Sequence, residues 1–110
     1  MKWYHDLYVG DSIAGKANRI KWKINHRAGM LSVYVIAFAS NEQNLLDVIP
    51  SWELMQKAYP GKRDMHIIGL AKGYDEALEL VRRIIEETYQ HTGTVDVCAY
   101  LKMKDRRHGA

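Results

Sequence analysis

Three short stretches hold residue types that can do chemistry: GDS (Gly10–Ser12), SNEQN (Ser40–Asn44) and KGYDE (Lys72–Glu76). Each follows a strand-like run and leads into a helix-like one. In a parallel sheet such loops meet beyond the carboxyl ends of the strands, where ligands gather. Asp11 and Glu42 would there hold a divalent cation and Lys72 would contact a phosphate, with Ser12 and Asn41 beside them. The same residue types also serve any strand-to-helix turn, and Ser12, Asn44 and Asp75 suit helix capping equally well. GLAKG (Gly69–Gly73) lacks the glycine spacing and terminal Gly-Lys-Ser/Thr of a phosphate-cradling loop, and Asp75 and Glu76 stand where an anion would dock. It reads as a strand-to-helix joint.

The remaining reactive side chains form no recognisable centre. His5, His26, His66, His91 and His108 show no metal-ligand spacing, and the single cysteine, Cys98, offers neither a disulfide nor a ligand pair. His5 and Asp6 are neighbours in a strand and point to opposite faces. His66 falls in an apolar strand and reads as a core histidine, Cys98 as a small hydrophobe. No catalytic residue is assigned, and neither a metal nor a cofactor is implied.

A different chemistry is suggested by GKANRIKWKINHR (Gly15–Arg27), which holds five Lys or Arg and one histidine without an acid. Ile20, Trp22 and Ile24 alternate with Lys21 and Lys23 as a strand would, whereas Ile13, Ala17, Ile20, Ile24 and Ala28 recur at helical spacing. The longer pattern predicts a helix from about Ser12 to His26, with strand over residues 20–24 as the open alternative. Lys16, Arg19, Lys23 and Arg27 then form a stripe beside the apolar face, and Trp22 falls on the solvent side. Four cations on one stripe suit a phosphate backbone or an acidic protein face, and an exposed indole suits stacking on a base. Cations beside an apolar helix face also commonly serve solubility alone.

The elements that must position these residues alternate. Strand-like runs occupy Trp3–Val9, Met30–Ala39, Met65–Ala71 and Thr94–Leu101, the last alternating as an edge strand does. Helical patterns cover Ser12–His26, Asn44–Gly61 with a break at Pro50, and Tyr74–Gly93. The order β-α-β-α-β-α-β predicts an α/β domain, with a four-stranded, mostly parallel sheet and helices on both faces. A ferredoxin-like α+β sandwich is the alternative. Residues 1–101 form the single domain expected of 110 residues, and 102–110 a flexible basic tail.

Charge is unevenly spread. Residues 1–41 carry six Lys or Arg against two acids, 42–101 six against ten, and 102–110 four against one. Such asymmetry steers partners even at a net charge of only +3. The longest apolar run, Val33–Ala39, is too short to span a bilayer, and the N-terminus lacks the features of a secretory signal. A cytoplasmic, reduced protein that does not bind membranes is expected.

Three functions follow as expectations. The first is a non-enzymatic binding module that meets nucleic acid or an acidic protein through the basic helix. The second is a homo-oligomer that pairs through the final edge strand and Trp22. The third is a metal-dependent enzyme acting on a phosphate-bearing substrate at the strand-end loops.

Overall fold

The computed structural model describes residues 2–26, 32–39, 45–54 and 65–108. Strand β1 (Lys2–Val9) leads through a 3-10 turn (Asp11–Ile13) to helix α1 (Ala17–Asn25). Strands β2 (Val33–Phe38) and β3 (Leu46–Pro50) and the short helix α2 (Ser51–Leu54) follow. Strand β4 (His66–Lys72) and helices α3 (Tyr74–Thr92) and α4 (Val97–His108) complete the chain.

The four strands lie in the order β1-β4-β2-β3. Only β1 and β4 are parallel; β2 runs antiparallel to both β4 and β3. The sheet is therefore mixed, not mostly parallel, and helices cover both of its faces. On one face α3 and α4 bury Ala77, Leu80, Ile84, Val97 and Leu101 with Tyr4, Ile36 and Ile68. On the other, Ile20 and Ile24 of α1, Leu54 of α2 and Ile13 pack on Val33, Val35, Ile67 and Leu70.

Two elements depart from the expected order, and both account for the mixed sheet. Leu46–Pro50 was expected within a helix and is strand, pairing Leu46 with Phe38 and Pro50 with Tyr34. Seven residues separate the paired ends, enough for a hairpin and too few for the helical crossover that a parallel neighbour needs. Pro50 closes the strand at the edge of the sheet, where proline is tolerated.

Thr94–Leu101, expected as the fourth strand, instead holds the start of α4. Val97, Tyr100 and Leu101 are buried at helical spacing. The Asp96 carboxylate accepts a hydrogen bond from the Ala99 amide at 3.1 Å, and Thr94 Oγ1 accepts one from the Asp96 amide at 3.3 Å. This is an N-cap, and it fixes where the helix begins. Residues 102–108, expected as a tail, continue α4. Asp96→Ala should therefore lower the stability of the domain by about 1 kcal/mol, measured as a shift in the urea midpoint.

The first helix is shorter than its apolar spacing suggests. Gly15, at φ +82°, takes a left-handed conformation that interrupts the run between the 3-10 turn and Ala17. Ile13 is buried all the same, because the turn folds it back onto the sheet. Helix α3 begins and ends as its pattern implies, with Gly93 following its last residue, Thr92.

Among the described residues, no helix is long and apolar enough to cross a membrane.

Candidate functional site

The parallel pairing of β1 with β4 brings Asp11, Ser12 and Lys72 to one end of the sheet. The Gly10 amide donates to the Leu70 carbonyl at 2.8 Å, and the Gly73 amide to the Ser32 carbonyl at 2.7 Å. Into this corner α3 sends Glu76. Its carboxylate accepts hydrogen bonds from the Ser12 hydroxyl, from the Ser12 amide at 3.4 Å and from the Lys72 amide at 3.0 Å. The Ser12 hydroxyl, followed by the Lys72 amide, holds the Glu76 carboxyl below its ordinary pKa. Gly10 makes the approach feasible, since a Cβ there would lie 2.0 Å from Glu76 Oε1. The N-terminal end of α3, where an external anion would dock, is thus occupied by a carboxylate of the same chain.

Of the strand-end candidates, Asp11, Ser12 and Lys72 fall within the described residues. Asp11 is 96% exposed, and its nearest ionic partner is the Arg83 guanidinium, 3.9 Å away. Lys72 is exposed as well. Asn41 and Glu42 lie outside the described residues. The strand that leads to them, β2, ends at Phe38, beside the His66 end of β4 and away from Lys72. Among the described residues, no three His, Cys, Asp or Glu side chains stand close enough to share a metal ion.

Helix α1 carries the basic stripe. Ile20 and Ile24 are 2% and 1% exposed and anchor it to the sheet, leaving Lys16, Arg19 and Trp22 in solvent and Lys23 half-buried. Trp22 is 57% exposed. Its ring stacks on His26 with centroids 4.1 Å apart and planes 17° apart, while His26 Nδ1 lies 2.8 Å from the Trp22 carbonyl oxygen. The indole is thereby held from one side and open on the other. Lys21 turns elsewhere, its ammonium 5.5 Å from the centre of the Trp3 ring. The ion pairs among the described residues draw their cations from Arg82, Arg83 and Lys104, and so leave Lys16, Arg19 and Lys23 without acidic partners. Arg27 lies outside the described residues.

Two further features escape sequence reasoning. The first joins β1, α3 and α4: the hydroxyls of Tyr8 and Tyr100 donate to Glu87 Oε2 at 2.7 and 2.8 Å, and Lys104 Nζ lies 3.1 Å from both Glu87 Oε2 and Tyr8 Oη. The second is a shallow groove of about 550 Å³ along α3, lined by Leu78, Val81, Ile85, Tyr89 and Val95, with Arg82 and Glu86 on its rim. The helical spacing of Leu78, Val81, Ile85 and Tyr89 is visible in the sequence as a second apolar flank. The four-residue cluster has no such signal, because its members are far apart along the chain.

His66 lies edge-on to Phe38, 4.9 Å between centroids, and burial pulls its pKa below the ordinary histidine value. Cys98 is a free, half-buried thiol on α4.

In comparisons with known proteins, the chain matches no protein family, no curated protein and no solved structure.

Proposed function

We propose that the protein is a non-enzymatic binding module that engages an anionic partner through α1, with single-stranded nucleic acid as the partner that its chemistry suits. The observation that carries this reading is the set of cations without acidic partners among the described residues, Lys16, Arg19 and Lys23, around an exposed indole on a helix that lacks acids. Unpaired cations attract phosphates and release their counterions, and an aromatic face open on one side accepts any base. The strand-end loops support catalysis less well, since Glu76 fills the corner where a phosphate would sit.

Fluorescence anisotropy against single- and double-stranded oligonucleotides at two salt concentrations tests the proposal. Affinity should fall with salt with a logarithmic slope of about −2 to −3, as expected for roughly three neutralised phosphates on a single strand. Trp22→Ala should weaken single-strand binding by about 1–3 kcal/mol, the usual contribution of one stacked base. Arg19→Glu combined with Lys23→Glu should abolish the salt dependence along with most of the binding. Absence of binding at low salt, or affinity indifferent to the charge reversal, would refute the assignment.

A further inference from the structure

We infer that the uncovered flank of α3 is the contact between two copies of this chain, packed about a two-fold axis with their α3 helices antiparallel. This inference does not rest on the nucleic-acid reading and uses the opposite face of the sheet.

The flanks of α3 differ. On one side Glu87 bonds to Tyr100 and His91 stacks on Tyr100 at 5.6 Å, so that side belongs to α4. The other side holds Leu78, Val81, Ile85 and Tyr89, of which Leu78 is 45% and Tyr89 60% exposed. Val81 and Ile85 pack against the same cluster as Tyr34, Leu46 and Val48 of β2 and β3, all of which are only half-buried. Leu45, just before β3, is 43% exposed. Helix α3 lies over β4, β2 and β3, and α4 over β1, and at the outer edge of that layer Leu78 and Tyr89 remain exposed. A second copy would cover this flank by laying its own α3 beside the first.

The rim of the groove favours a second copy over an unrelated partner. Arg82 pairs with Glu79 and Glu86 in its own helix, so the rim carries both signs. When two α3 helices run antiparallel with the axis near residues 83–84, Leu78 faces Tyr89 of the other copy, Val81 faces Ile85, and Arg82 faces Glu86. Apolar residues then meet apolar ones and each cation meets an acid, twice over by symmetry. A surface complementary to itself in this way is the requirement for an isologous dimer. The sheet edges are poorer candidates. In β1, six positions from Trp3 to Tyr8 oppose only three in β4, a bulge that blunts that edge.

Sedimentation equilibrium and cysteine cross-linking of the full chain test the inference. At tens of micromolar, an order-of-magnitude working range, the wild type should sediment as a dimer. Leu78→Glu with Tyr89→Ser, both at exposed positions, should raise the dissociation constant at least tenfold and leave the circular dichroism unchanged. Arg82→Glu alone should weaken the dimer, and adding Glu86→Arg should restore it. In a Cys98→Ala background, Leu78→Cys mixed with Tyr89→Cys should form disulfide-linked pairs, whereas neither variant should do so alone. A wild type that remains monomeric would overturn the inference. So would a dimer that survives Leu78→Glu with Tyr89→Ser, because association would then lie on another surface such as the β3 edge.

Discussion

Leu101→Ala should lower the free energy of unfolding by about 2–5 kcal/mol, the usual cost of emptying a fully buried leucine site. Leu101 is fully buried, within the cluster that α3 and α4 form on the sheet. Its carbonyl also accepts the Tyr4 hydroxyl at 3.1 Å, which ties α4 to β1 across the largest sequence separation in the core. Relaxation into the cavity would disturb that bond as well as the packing. A domain of this size has only about 5–15 kcal/mol of total stability, so one methyl-rich side chain decides much of it. Met103, two residues on and 39% exposed, is the control: Met103→Ala should change stability by no more than about 0.5 kcal/mol. Urea denaturation of the two variants separates a helix docked on the sheet from a segment at its rim. Equal, small effects would mean that α4 does not pack as described.

The same helix marks how far the sequence could be read. In Thr94–Leu101 the residues Val95, Val97, Ala99 and Leu101 alternate as in a strand, yet Val97, Tyr100 and Leu101 also stand at helical spacing. Eight residues cannot choose between the two periods. The Asp96 cap and the surface offered by Tyr4 and Ile84 decide for helix. For Leu46–Pro50 the ambiguity falls the other way. Its paired apolar residues mimic a helix face, and only the neighbouring Tyr34–Phe38 strand, a non-local partner, makes it a strand. By contrast β2, β4 and α3 are legible because their signals are long: continuous apolar runs for buried strands, and nineteen residues of helical period for α3. Strand direction is never a local property, so the mixed sheet was beyond the reach of pattern. On α1, Ile20, Trp22 and Ile24 alternate with lysines as a strand would, and it is the longer helical spacing that the structure follows, with Ile20 and Ile24 against the sheet and Trp22 in solvent.

Glu87 carries the other large prediction. Tyr8 is 79 residues away in the chain, Tyr100 is 13 away and Lys104 is 17 away, yet all three reach one carboxylate oxygen. Glu87→Ala should cost about 2–3 kcal/mol, since two partly buried hydroxyls and an ammonium lose a charged acceptor together. The pH dependence gives a sharper signature. Burial pushes the Glu87 carboxyl up, but the bonds from Tyr8, Tyr100 and Lys104 outweigh it and hold the pKa below the ordinary glutamate value. The folded protein thus prefers the ionised form. The stabilisation is complete above the unfolded pKa and is lost as the pH falls through the lowered folded value. The tyrosines act in the opposite sense. Burial first, and then the bond to Glu87, pushes the Tyr100 phenol up to about 12, and the same two causes raise Tyr8 further. Their stabilisation is complete below the ordinary tyrosine value and is lost as the pH rises through the raised ones. Urea midpoints of the wild type should therefore form a plateau with a decline at each end. Glu87→Gln should lower the plateau, flatten the acid decline and make the alkaline one smaller, since the tyrosine values would then be raised by burial alone. An acid decline identical in the variant and the wild type would mean that other carboxylates set it and that Glu87 holds α4 by packing alone.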